Sequence, residues 1–322
     1  IYWFTIFPVV LIYGVSITNT VDSFIVNQLG GPEISRYILA PLCVGLMTLA
    51  LAFGNAIMLK IAQFVVYPLI VALAAVSLYL IPQWDLGSFM EAGDHTAGGV
   101  IKAIILILPV LVFSFSFVAA ISQFSLGMEK EYGADHHAQS DKVIRNSAIL
   151  LTVFTMFFVW SCALAMGADG MEEANDKNLP VLSYFANETG TPFMAYMAPI
   201  VVICAVASSY FGHALGTIEG TQYLFNLAAP KSTKKMSART LDLWTYLFIF
   251  IATSLVGIFN PSILDMISVV GGVFFAFMTY LLPIWVIYRV DALARFRGKK
   301  TNYFVAVMGF IVLFATIWGM FQ

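Results

Sequence analysis

Nine long apolar stretches, separated by polar connections, leave this chain few ways to fold. They run at about 1–28, 37–54, 57–81, 99–126, 146–167, 192–228, 241–259, 262–289 and 302–322. A hydrocarbon core about 30 Å thick needs roughly 20 apolar helical residues to cross it. Backbone polar groups in lipid must be satisfied within the segment, so stretches of this length are expected as helices. With 60% hydrophobic residues, 11% charged residues and a mean hydropathy of +0.88, a soluble core is excluded. The sequence predicts an all-α, polytopic membrane helix bundle, a single transmembrane domain over 1–322 set in a lipid bilayer.

The net charge of −2 constrains little, but the placement of charge sets an orientation. Basic residues near helix ends mark the cytoplasmic face. Lys130, Lys142 and Arg145 follow the fourth segment, Lys231, Lys234, Lys235 and Arg239 the sixth, and Arg289, Arg295, Arg297, Lys299 and Lys300 the eighth. These are twelve of the sixteen basic residues, all on alternate connections. The others carry little beyond Arg36, Lys102 and Lys177, and 168–190 is acidic (Asp169, Glu172, Glu173, Asp176, Glu188). The first segment is therefore expected to run from inside to outside, and the chain to end outside.

Cys43, Cys162 and Cys204 all fall inside apolar segments, which indicates buried packing rather than a disulfide framework. No secretory leader pattern is visible. Ile1 opens in the middle of an apolar run without an initiator Met, so the sequence reads as amino-terminally truncated.

The fourth segment carries a break signal. Ile101 to Leu108 is smoothly apolar, then Pro109 interrupts it, followed by Phe113-Ser114-Phe115-Ser116-Phe117 and by Ser122-Gln123. Proline removes a backbone donor and clashes one turn back, while serine hydroxyls can satisfy freed carbonyls. The stretch reads either as a Pro-kinked helix or as one broken near the midplane, the form transporters use in paired inverted repeats. No earlier segment offers a Gly-rich counterpart, so a broken partner is expected among preceding residues.

The sixth segment is the richest in small and polar residues. Gly212, Gly216 and Gly220 recur every fourth residue as a smooth stripe suited to close helix approach. Ser209, His213 and Thr217 recur beside it as a polar stripe. Ionisable groups inside membranes face the bundle interior or a water-filled path, so His213 and Glu219 read either as path residues or as interfacial ones. Asn19 and Asp22 near the end of the first segment read as capping or interfacial, or as lining an outer vestibule, with Thr18 and Asp22 spaced to meet on one face. His136 and His137 read as exposed, and Tyr79, Trp84 and Trp160 fit aromatic belts.

Several stretches together carry a family resemblance: Tyr13-Gly14-Val15-Ser16-Ile17-Thr18-Asn19-Thr20, Ile81-Pro82-Gln83-Trp84, Val181 to Asn187, Phe211 to Gly220, and Asn260-Pro261-Ser262-Ile263-Leu264. In this order, and over essentially the whole chain, the sequence resembles the serine/threonine transporters of the hydroxy and aromatic amino acid permease family. That family belongs to the amino acid–polyamine–organocation superfamily, with eleven helices and two inverted five-helix repeats. The resemblance implies an inverted-repeat transporter fold lacking its first two helices, with helices 3–11 present. It also implies a secondary active, ion-coupled symporter that imports a small neutral amino acid across a bacterial inner membrane. Phe113, Ser114, Phe115, Ser116 and Phe117 would bind substrate.

Two positions depart from the family pattern. Serine and threonine symporters of the family continue from Phe-Ser-Phe into an Asn, an aromatic or His, then Ser-Pro; here those places read Ser116, Phe117, Val118 and Ala119. The implied substrate is thus the small neutral class rather than serine alone. Proton-coupled members have Lys one position before Ser209, where this chain has Ser208. A fixed ammonium can occupy the place of a bound cation, whereas Ser208 and Ser209 are adjacent oxygen donors of the kind hard cations prefer. The pair reads as small packing residues, as part of a sodium site, or as part of a proton path shared with His213 and Thr217.

No phosphate loop, zinc spacing or nucleophile–base constellation is present, so an enzyme is not expected. Neither a cofactor beyond sodium or a proton, a nucleic acid nor a protein partner is indicated. A channel is the remaining alternative, and no recurring pore motif supports one.

Overall fold

The structure is a computed structural model describing residues 1–51, 55–91, 95–188, 191–230 and 236–321. All regular elements among the described residues are helical. They are α1 (Tyr2–Gln28, its last five residues a π turn), α2 (Arg36–Leu51), α3 (Asn55–Leu80), α4 (Leu86–Glu91), α5 (Ala97–Ser114) and α6 (Val118–Tyr132). There follow α7 (His136–Asp176), α8 (Val181–Glu188), α9 (Pro192–Ala228), α10 (Ala238–Phe259), α11 (Ile263–Arg289) and α12 (Lys300–Gly319). Every predicted apolar segment is thus built around a helix, and eight of the helices are long and apolar enough to cross a membrane. The exception is α2, whose 16 residues span only about 24 Å; residues 52–54 of that segment lie outside the described residues.

Helix ends follow local chemistry. Thr96 and Ser237 sit in extended conformation and accept from the backbone N–H of Gly99 and Thr240, capping α5 and α10. Asn260 closes α10 in the left-handed region (φ 50°), with its N–H on Val256 O. Gly167 (φ 66°, ψ −174°) breaks α7 where the apolar run ends, a conformation that glycine reaches without a Cβ clash.

Polarity misled the sequence reading about several connections. Residues 127–145, expected as a loop, continue α6 to Tyr132 and restart as α7 at His136. The residues concerned (Glu129, Lys130, Glu131, Gln139, Lys142, Arg145) are good helix formers. Hydropathy marks where a helix leaves lipid, not where it ends. For the same reason 168–190 is helical to Asp176 and again at Val181–Glu188, and 290–301 contains a 3-10 turn at Asp291–Phe296. Lys231, Lys234 and Lys235 lie outside the described residues.

The chain divides into two compact units. The larger comprises Val9–Ala92 and Ile149–Ile263. In it α2 packs on α10, and both α3 and α8 pack on α9, around Val10, Leu39, Met47, Leu80, Met194, Tyr210 and Ile249. Lipid is as apolar as leucine, so helices associate here through close van der Waals fit and buried hydrogen bonds. Gly14 lies against the Thr253 side chain, and Gly257 leaves 3.1 Å between an added Cβ and that of Ala40. Some buried hydroxyls find partners: Thr18 Oγ1 donates to Gly14 O at 2.7 Å, and the Thr48 and Tyr210 hydroxyls meet at 3.1 Å. By contrast Gly212 is exposed, with nothing within 4 Å of an added Cβ. The close approach expected along its stripe does not form at Gly212, although Gly216 of the same stripe is buried.

The smaller unit comprises Ile1–Pro8, Gly93–Ala148 and Leu264–Gln322. Here α5 packs on α11 and α12. Gly271 of α11 sits directly on the carbonyl oxygen of Pro109, and Gly272 on the side chain of Thr316. Around this pair α11 widens into π turns at Val270–Phe275 and Phe277–Leu281, which the sequence reading did not anticipate. Such π turns occur mostly as single insertions, often at functional sites.

Candidate functional site: a broken helix, a polar stripe and a polar cavity

In the smaller unit the fourth apolar segment is broken rather than kinked. α5 stops at Ser114 and α6 begins at Val118, with Phe115 (φ −100°, ψ 7°) and Phe117 (φ −120°, ψ 31°) outside helical geometry. The break comes more than a turn after Pro109, which is itself buried within α5 against Gly271. The N–H of Phe115 reaches Leu111 O at 3.0 Å, and that of Ser116 reaches Phe113 O at 3.3 Å. Ser114 Oγ donates to Val110 O at 2.8 Å, the back-bonding that serine offers at a helix end. Phe113 is anchored edge-on against Phe275, ring centroids 5.4 Å apart.

Two groups at the break are left with work to do. Ser116 Oγ is buried without a hydrogen-bond partner, an expensive state for a hydroxyl. Phe117, at the N-cap of α6, supplies no side-chain cap for the first-turn N–H groups of α6, which have no partner within the helix. Those N–H groups favour a carboxylate, and the last carbonyls of α5 favour an ammonium. Phe115 is half-buried and Phe117 exposed.

In the larger unit, the polar stripe of α9 is only partly assembled. The Ser209 carbonyl accepts from His213 Nδ1 at 2.9 Å, which fixes the proton on Nδ1 because a carbonyl cannot donate. Tyr13 packs edge-on to His213, centroids 5.6 Å apart. Ser208 Oγ donates to Ala205 O at 3.0 Å, and no donor reaches its lone pairs among the described residues. Thr217 is fully buried, with its Oγ1 unpartnered. Among the described residues no group of three or more His, Cys, Asp or Glu is placed to hold a metal ion.

The same unit contains a polar cavity of about 610 Å³ at the Gln28 end of α1, lined by Asn19, Asp22, Glu33, Arg36, Lys177 and Asn260 among others. Asn19, read from sequence as a capping residue or a vestibule lining, is 5% exposed and central to its wall. Asn19 Nδ2 donates to Asn178 O at 2.8 Å and Asn260 Oδ1 at 3.0 Å, while its Oδ1 accepts from Arg36 Nη1 at 2.8 Å. Asn178 and Asn260 both occupy the left-handed region, and Asn178 Nδ2 reaches Asn260 Oδ1 at 2.9 Å. The Thr18–Asp22 contact does not form, since Thr18 turns back to Gly14 O and Asp22 Oδ1 is buried without a partner. At the rim, Lys177 pairs with Glu173 at 2.6 Å. Tyr184 donates to the same carboxylate at 2.6 Å, a bond that pushes its hydroxyl up to about 12. Two signals for this network were available: Arg36 is an isolated cation on the base-poor side, and Asn is the residue that tolerates φ > 0 after glycine.

The model of the transmembrane amino acid transporter protein family matches residues 4–322. The chain is similar to the serine transporter SdaC of Escherichia coli (strain K12), 36% identical over 327 residues, covering 100% of this chain and 76% of that protein. It is also similar to the threonine/serine transporter TdcC of Yersinia enterocolitica, 35% identical over 341 residues, covering 99% of this chain and 77% of the relative. TdcC of Edwardsiella piscicida is 33% identical over 345 residues, with 99% and 77% covered. No solved structure matches.

Proposed function

This chain belongs to the transmembrane amino acid transporter protein family, a family of transporters and not of enzymes, and from that premise we propose that it is a secondary active symporter for a small neutral amino acid of the serine/threonine class. The observation that carries the reading is the helix break at Phe115–Phe117, where the buried Ser116 hydroxyl has no partner among the described residues. A zwitterion satisfies both ends of such a break. Its carboxylate takes the uncapped N–H groups of α6, and its ammonium takes the last carbonyls of α5. Ser116 then bonds the substrate, Ser114 stays committed to Val110 O, and Phe113 holds the wall through Phe275. Phe115 or Phe117 closes over a small side chain. The names of the bacterial relatives support serine and threonine as first candidates, and a bacterial inner membrane as the location.

Ser208 and Ser209 carry the coupling ion in this reading, as two of the oxygen ligands of sodium. The free lone pairs of Ser208 Oγ support that role. Their rival is proton coupling through His213 and Thr217, with Ser208 only packing. Uptake of radiolabelled serine and threonine into proteoliposomes tests the function as a whole. Accumulation above equilibrium, driven by an inward sodium or proton gradient and abolished by its collapse, is expected. Gradient-independent equilibration would indicate a channel.

A further inference from the structure

We propose that the cavity at the Gln28 end of α1 is a second binding site for the zwitterionic end of an α-amino acid, separate from the helix break. The inference rests on the amino-acid transport reading of the chain but not on where its central site lies.

The cavity's charges argue for this ligand. Asp22 and Arg36 line the same space, yet no ion pair within 4 Å joins them among the described residues. Opposite charges facing one cavity without closing on each other leave room for a ligand carrying both. Arg36 has five N–H donors. Three are used, Nε and Nη2 on Gly257 O (3.2 and 2.7 Å) and Nη1 on Asn19 Oδ1 (2.8 Å), so one N–H on each terminal nitrogen remains for a carboxylate. Asp22 lines the cavity and its Oδ1 has no hydrogen-bond partner, so this carboxylate has acceptor capacity left for an ammonium.

Neither simple ion suits the cavity as well. A lone cation would meet the Arg36 guanidinium, and a lone anion would meet Asp22 with Glu33 and Glu188 on the same lining. The volume, about 610 Å³, falls in the usual range for small-molecule sites, roughly 300–1,000 Å³. The wall behind the charges is already ordered by the Asn19–Asn178–Asn260 hydrogen bonds, so little side-chain freedom is lost on binding. Lys177 at the rim is occupied by Glu173, which leaves Arg36 as the carboxylate partner.

The test is equilibrium binding and uptake of radiolabelled L-serine and L-threonine by the purified protein, with N-acetylserine and ethanolamine as competitors. Wild type is expected to bind two equivalents, and Asp22→Asn one. Asp22→Glu should recover the second equivalent, which a folding defect would not allow. Neither competitor, each lacking one charge of the zwitterion, should displace the second equivalent. One equivalent bound by an actively transporting wild type, or two still bound by Asp22→Asn, would overturn the proposal. A wild type that neither binds nor transports these amino acids would instead overturn the transport reading, and this inference with it.

Discussion

Arg36 at the start of α2 places both Nε and Nη2 on the carbonyl oxygen of Gly257, at 3.2 and 2.7 Å, in the last turn of α10. That carbonyl is one of the four that a helix end leaves unpaired, and a cation there also meets the negative end of the helix dipole. Truncating Arg36 to Ala should lower stability by about 2–4 kcal/mol, since hydrogen bonds to a charged group contribute about 1.5–3 kcal/mol. Arg36→Lys should recover only part, because an ammonium lacks the fork geometry. Thermal unfolding of the purified variants in detergent checks the order.

Asn260 is held by two separate demands. Its φ of 50° penalises a Cβ-branched residue, and its Oδ1 accepts from both Asn19 and Asn178. Asn260→Gly meets the first demand and fails the second; Asn260→Val fails both. Valine should therefore cost about 1–2 kcal/mol more than glycine, the usual left-handed penalty. Equal unfolding temperatures for the two variants would show that the backbone conformation carries no weight.

The charge asymmetry predicts an orientation, with 127–145 in the cytoplasm and 168–190 outside. Single cysteines at Ser140 and Asn175, in a background without Cys43, Cys162 and Cys204, should react with an impermeant maleimide from opposite sides. Asn175 is exposed on the α7 extension beyond Gly167, and Ser140 sits on the same helix before its apolar run. Reaction of both from one side would reverse the assignment.

Sodium coupling makes a paired prediction. Ser208→Lys should weaken sodium dependence, because a tethered ammonium takes the space of the ion. Ser209→Ala should raise the sodium concentration for half-maximal uptake several-fold, having removed one oxygen ligand. Uptake unchanged in choline but lost with the pH gradient would decide for the proton.

The sequence made the helix break legible because each of its parts is local. Pro109, the alternating phenylalanines and the serines between them act on their own turn or the next. Membrane segments were legible for the same reason. The Arg36–Asn19–Asn178–Asn260 network was not, since it joins residues up to 241 positions apart and depends on how α1, α2 and α10 meet. Polar helix extensions such as 127–132 were missed because polarity reports contact with water, which a helix and a loop share. At Gly212 the stripe misled in the opposite sense: a periodic surface permits close approach without specifying where a helix arrives, and nothing lies near Gly212, whereas Gly216 is buried.

A structure with L-serine or L-threonine bound tests the central claim most directly. Ligand is expected at Phe113–Phe117, its carboxylate on the first-turn N–H groups of α6 and Ser116 Oγ within hydrogen-bond distance. An unbroken helix through Phe115 and Phe117, with the amino acid bound elsewhere and Ser116 Oγ still unpartnered, would contradict it.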